Sequence, residues 1–371
     1  MACSTFDGQV VRQESQIRDL TDQFVCLRIV QGNGLDLSQF QFDYDLTFAA
    51  FFMNADRTIY GRFGSRSTDK DAARDISVEG FRAALSAALE LHKNYPRNKS
   101  ALAGKQGLPV RFKVPEEFPS LKDRYTATID YSDKPARSCI HCHMVRDADR
   151  RLIRETQKFI ADESLYPWPM PDEIGLSLDP KEKAKVKAVR PGSTAARDGF
   201  SSGDEILFLE GQPIVSIADV QWVLQNAAEP ARLKASVRRR GKTLDLPLTL
   251  GKGWRKHTNV SWRPTSWDLR RMALGGMFLE DLPEDERRAA NLDSTQMALR
   301  AKHVGEYGEH AVAKKAGLRK DDIVIGFDGT TNRMTESELF GYVLQNKVPG
   351  ARLPVSILRG TEKLSIDLPV P

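Results

Sequence analysis

The sequence predicts a multidomain chain of mixed class, an α/β N-terminal region followed by two β-rich α+β modules. Three observations carry this. A long segment recurs about 120 positions later, a Cys-x-x-Cys-His run sits in a Pro-rich stretch ahead of the repeats, and helical and strand periodicities alternate in the first 100 residues. The 371 residues are 40% hydrophobic and 28% charged, enough for two or three cores and incompatible with global disorder. The longest apolar run, Phe48 to Met53, is far too short to span a bilayer. The net charge of +5 is thinly spread. Its densest cluster, Arg238-Arg239-Arg240 with Lys242, reads as an exposed hairpin turn rather than a nucleic-acid surface. The resulting division is 1–103, 104–169, 170–252, a Trp-rich linker 253–267, and 268–371.

In the first region, Gln9 to Gln23 has helical spacing, and Phe24 to Val30 reads as a continuously apolar, buried strand. Thr47 to Met53 and Thr58 to Arg62 follow as a hairpin turning at Asn54 to Arg57. Ser77 is the expected N-cap of a helix through Leu91 whose core face is Phe81, Ala84, Leu85 and Ala88.

Residues 104–169 are rich in proline and weak in periodicity, apart from an expected helix over Val145 to Ala161. They contain Ser138-Cys139-Ile140-His141-Cys142-His143. That spacing matches c-type haem attachment, in which two thiols bond the porphyrin and the adjoining histidine takes the iron. Cys139, Cys142 and His143 are therefore the candidate haem c residues. Met170 is the candidate sixth ligand, with His92 and a vacant or water-bound position as alternatives. A zinc site drawn from Cys139, Cys142, His141 and His143, or a thiol pair without cofactor, remains open beside it.

Each repeat reads the same way. A strand (Val186 to Val189; Ala301 to Val304) leads to a short helix of small residues, Ser193 to Arg197 and Ala311 to Lys315, stopped by Gly199 and Gly317. Tight turns at Gly203-Asp204 and Asp321-Asp322 enter apolar strands, Glu205 to Leu209 and Ile323 to Phe327. An amphipathic helix follows, ending Val223-Leu224-Gln225-Asn226 in one copy and Val343-Leu344-Gln345-Asn346 in the other. Hairpins at Arg240-Gly241 and Arg359-Gly360 close both. The linker's Trp254, Trp262 and Trp267 with interleaved arginines read as packing between modules rather than a nucleic-acid or glycan surface.

The stretch GSTAARDGFSSGDEILFLEGQPIVSIAD resembles the PDZ modules of bacterial high-temperature-requirement proteases, and the likeness holds over roughly 170–252 and 268–371. It implies PDZ folds that bind an extended protein or peptide C-terminus as an added strand, its carboxylate taken by backbone N–H groups. By resemblance those loops are Ile174-Gly175-Leu176-Ser177-Leu178 and Gly276-Met277-Phe278-Leu279. The alternative is that one or both grooves are filled internally. The chain lacks the Gly-Asn-Ser-Gly-Gly nucleophile loop of those proteases, so no serine protease is expected.

FVCLRI and LTFAAFFMNADRTIYGRFG resemble a thioredoxin-like fold. Cys3 would then be the first thiol of the redox pair, but Phe6 stands at the second position and Leu46 at the cis-proline. Cys3 is left as a lone low-pKa thiol or a structural position. Only two residues precede Cys3, so the first strand of such a fold, and an export signal, are expected upstream of this chain or lost. The whole order resembles multidomain thioredoxin-like/PDZ proteins of planctomycete type. The integrated expectation is a periplasmic or otherwise extracytoplasmic scaffold with tandem PDZ grooves and a c-type haem for electron transfer or redox sensing. A purely interacting protein, or a thiol-disulfide redox protein, are the alternatives.

Overall fold

A computed structural model describes residues 15–68, 74–132 and 135–371. Cys3 and the first half of the expected helix 9–23 lie outside the described residues. The chain forms two units: residues up to 148 with 167–258, and 149–166 with 259–371.

In the first unit, strands β1 (Ala50–Met53) and β2 (Ile59–Phe63) pair antiparallel as expected. Helix α1 (Val78–Lys93) lies against them, with the Ser77 hydroxyl accepting from Gly80 N–H at 3.0 Å. Phe81, Ala84, Leu85 and Ala88 are all buried beside Phe52, Tyr60 and Phe63. Each such side chain contributes about 1.5–3 kcal/mol relative to exposure.

The expected strand 24–30 is corrected. It has no regular structure, and Val25 and Leu27 are 90% and 89% exposed. A strand needs a ladder neighbour and a face to bury. The core here is closed by Ile17, the hairpin and α1, and only Phe24 of the run packs on it, 6.3 Å from the Phe52 ring. Together with the two-stranded β1–β2 sheet, this leaves the thioredoxin-like expectation without a central sheet among the described residues.

Helix α2 (Cys142–Gln157) begins at the second cysteine of the motif. The first repeat contributes β3 (Leu176–Leu178), β4 (Val186–Val189), the short helix α3 (Thr194–Arg197), β5 (Glu205–Leu209), β6 (Gln212–Pro213), helix α4 (Ile217–Asn226), β7 (Ala231–Arg239) and β8 (Lys242–Leu250). The order β6-β5-β7-β8 forms one sheet and β3-β4 another, bridged where Lys185 meets Glu205.

The second unit repeats this. Helix α5 (Ser266–Leu274) precedes β9 (Met277–Asp281), β10 (Leu299–Val304), helix α6 (Val312–Ala316), β11 (Ile323–Phe327), helix α7 (Glu336–Asn346), β12 (Arg352–Arg359) and β13 (Glu362–Pro369). Here one sheet runs β13-β12-β11-β10-β9. Gly199 and Gly317, at φ +92° and +106°, follow the ends of α3 and α6 as the sequence predicts.

Candidate functional site

In a PDZ fold the groove is the channel between the strand after the carboxylate loop and the amphipathic helix; β3 and α4 stand at these places in the first copy, and β9 and α7 take the corresponding places in the second. Both copies have the required parts, and both channels are covered by other residues of this chain.

In the first copy, Gly175 at φ +88° turns the loop into β3, with Leu176 and Leu178 buried and Ser177 half-exposed. The turn of helix Pro171–Ile174 touches both β3 and α4. Residues 74–80 close over it. Arg74 pairs with Asp172 at 3.4 Å, and the Ser77 hydroxyl donates to Pro180 O at 3.0 Å. A Cβ on Gly80 would lie 2.1 Å from the same carbonyl. What remains between Ser177, Leu178 and Ile217 is a cavity of about 10 Å³ that Asp75 and Met170 also line. That is room for one water at most.

Helix α4 is covered on its other faces too. Asp219, fully buried, accepts from Lys105 Nζ at 2.6 Å, Val215 N–H at 3.0 Å and Arg62 N–H at 3.1 Å. The Trp222 indole donates to Gly104 O at 2.8 Å, and the Arg62 guanidinium lies 3.7 Å from the Trp222 ring centroid. Burial lowers the Arg62 pKa to about 10, and it also lowers that of Lys105, opposed in both by Asp219. Gly61 is needed here: a Cβ would meet Val215 at 2.2 Å.

In the second copy, Gly275 (φ +60°) and Gly276 (φ +90°) make the loop, and Met277 and Leu279 are buried. Helix α5 touches both β9 and α7. From it, Arg270 donates to both Glu336 oxygens, Nε–Oε1 2.9 Å and Nη2–Oε2 2.7 Å. Leu279 N–H donates to the same carboxylate at 2.8 Å. Burial pushes the Glu336 carboxyl above its ordinary pKa, against the pull of Arg270. Sequence reasoning missed this group. Counted from the helix starts, Glu336 takes the place of Ile217, and a charge in place of an apolar first residue was the available signal.

The cysteine–histidine motif is held by Asn33, a residue the sequence reading did not single out. Its side chain accepts from Ile140 N–H at 2.7 Å and donates to Ser138 O and Thr126 O. Cys139 and Cys142 are free, half-buried thiols, Cys142 the first residue of α2 and Cys139 in the loop before it. Burial pushes the Cys142 thiol up, which disfavours its thiolate. His143 Nδ1 faces Asp147 Oδ2 at 3.4 Å, and that carboxylate raises the imidazole's pKa. The His141 and His143 rings stack with centroids 5.9 Å apart.

The two residues named as sixth ligands are engaged elsewhere. Met170 is buried in the first repeat's core beside Trp168 and Ile174. His92 Nδ1 is 2.8 Å from the Tyr60 hydroxyl. Among the described residues, no group of three or more His, Cys, Asp or Glu is placed to hold a metal ion, and no helix is long and apolar enough to cross a membrane.

Comparison with known proteins agrees with the β-rich repeats. Residues 172–250 match the model of the PDZ domain family. The chain is 29% identical over 189 residues to the periplasmic pH-dependent serine endoprotease DegQ of Escherichia coli K12, covering 51% of this chain and 36% of that protein. It is 24% identical over 182 residues to a probable periplasmic DegP-like serine endoprotease of Marinomonas sp. MWYL1, covering 49% and 36%. The HtrA3 PDZ domain, solved with a phage-derived ligand, shares 22% identity over 27% of this chain and 69% of that one, with a TM-score of 0.17. The chain thus spans only about a third of the length of these two proteases. Residues 172–250 are a PDZ domain.

Proposed function

We propose that this chain is an extracytoplasmic protein-interaction scaffold that takes the C-terminus of a protein or peptide by strand addition in a PDZ groove. The observation that carries this is the pairing, twice over, of a glycine-led loop, a buried-face strand and an amphipathic helix. The periplasmic naming of the similar proteases supports the location. Both grooves are covered, the first by residues 74–80 and the Pro171–Ile174 turn and the second by helix α5, so binding requires a cover to move; we assign the partner to the second copy, whose cover is fastened by the Arg270–Glu336 pair. The test is selection of displayed C-terminal peptides on the full chain, followed by calorimetry with each selected peptide as free acid and as amide. Enrichment of a shared terminal sequence that binds as the free acid supports the reading. A selection that enriches nothing overturns it.

A second reading concerns Cys139, Cys142 and His143. Two free thiols three positions apart, with His143 Nδ1 toward a carboxylate, suit the residues' part in c-type attachment. Haem would supply one-electron chemistry there. Cys139 and Cys142 would hold the group through two thioether bonds and His143 would bind its iron, and Asn33 would fix the loop. Expression in a host with haem c maturation should give a Soret band that survives denaturation and a positive pyridine haemochrome. A folded, colourless protein refutes it.

A further inference from the structure

The second groove already contains a carboxylate. Glu336 is the first residue of α7 and is 3% exposed, a costly position for a charged group unless it is paired and hydrogen-bonded. It is paired by the forked donors of Arg270 and by Leu279 N–H. Arg270 is itself held by the Ser266 hydroxyl at 2.7 Å and by Ser261 O at 2.8 Å, and its guanidinium lies 4.2 Å from the Phe278 ring centroid. Leu279 closes the loop to which a peptide terminus is assigned. A backbone N–H and a planar cation, desolvated together, are the donors that a terminal carboxylate requires.

We propose that Glu336 is an internal surrogate for the ligand, and that a peptide's C-terminal carboxylate enters the second groove by replacing Glu336 on Arg270 and Leu279 N–H. The inference rests on the peptide-binding reading above and names the residue that controls it. Two carboxylates cannot share this site, so the incoming one must displace Glu336 outward. The start of α7 does not depend on Glu336: Thr335 and Glu338 form a capping box of their own. The side chain can therefore leave without unravelling the helix. The partner this selects has a free C-terminus and an apolar last residue to lie over Met277 and Leu279.

The test uses the full chain and a pool of fluorescein-labelled decapeptides ending in Val, Leu, Ile or Phe, as free acids and as amides, read by anisotropy. Glu336→Gln removes the competing charge while keeping the side chain's shape. It should bind the free acids at least tenfold more tightly than the unsubstituted chain, with the amides unchanged. The pair Arg270→Gln with Glu336→Gln should lose that gain. A folded Glu336→Gln chain with free-acid affinity within threefold of the starting protein overturns the proposal, as does an equal gain for amides. Tight binding by the unsubstituted chain alongside either result leaves the broader peptide reading standing. No binding by any variant overturns both. Should Glu336→Gln fail to fold, the 15N-labelled unsubstituted chain decides: the Leu279 amide resonance must move on titration with the free acids and not with the amides, and an unmoved resonance at saturation overturns the proposal.

Discussion

Replacing Asp219 by Asn tests whether the first PDZ copy is bound into its unit by charge. Asp219 and Lys105 are 1% and 0% exposed and 2.6 Å apart, and Arg62 adds a second buried cation beside them. Removing one partner of a buried pair costs about 3–5 kcal/mol, because the remaining charge is left uncompensated. The amide oxygen of Asn can still accept one backbone N–H, from Val215 or Arg62, so the lower end applies. We expect a loss of about 3 kcal/mol, roughly a hundredfold in the local opening equilibrium. Hydrogen exchange by mass spectrometry on peptides covering β2 and α4 reads that equilibrium without assuming that the whole chain unfolds at once. Adding Lys105→Met removes one of the two stranded cations while Asn still serves the backbone, so the double variant should recover more than half of the loss. A loss below about 1 kcal/mol for Asp219→Asn, or a double variant no more protected than the single, would refute the reasoning.

Three further outcomes are expected. Gly80→Val should speed exchange in both α1 and β3, since its Cβ would meet Pro180 O at 2.1 Å; a cost of about 1–3 kcal/mol is typical of such overpacking, and unchanged exchange in β3 would show that residues 74–80 do not close the first groove. Asn33→Ala should increase alkylation of Cys139 and Cys142 by releasing the Ser138–Ile140 loop, with circular dichroism unchanged. For Glu336, the folded-state pKa lies above the unfolded one, so its contribution to stability is fully present below the unfolded value near pH 4.5 and is lost as pH rises through the folded value. The urea midpoint of the second unit should therefore gain on acidification relative to Glu336→Gln, and parallel profiles would contradict the shift.

The repeats were legible because each signal occurs twice: glycine stops, turn residues and the Val-Leu-Gln-Asn helix end all agree, and the strand limits Glu205–Leu209 and Ile323–Phe327 match the structure. The run Phe24–Val30 was misread because an apolar run encodes a wish for burial but not a neighbour that provides it. Coverage of the grooves was illegible for a related reason. Arg270 and Glu336 are 66 positions apart, and Lys105 and Asp219 114; Asp219 ends the quoted repeat signature, but Lys105, Arg270 and Glu336 lie in no motif that points to a partner. The motif Cys139-x-x-Cys142-His143 was visible as chemistry, but its positioning residue, Asn33, lies more than 100 positions earlier.

The two copies show how one helix start can serve different ends. Ser216-Ile217-Ala218-Asp219 and Thr335-Glu336-Ser337-Glu338 each run from the N-cap through the first three residues of the helix. In the second copy Glu338 turns back to the Thr335 N–H and completes a capping box. In the first, Asp219 faces outward to Lys105 and the Arg62 N–H, and Ile217 borders the closed cavity. A carboxylate fully committed to a buried lysine and two backbone amides has no reason to exchange with a ligand. A carboxylate held by an arginine fork and one strand-edge amide has a direct competitor in any peptide terminus. On the proposed reading, the first copy is therefore a structural joint that fastens the N-terminal hairpin, and partner recognition is left to the copy whose lock is made of the ligand's own chemistry.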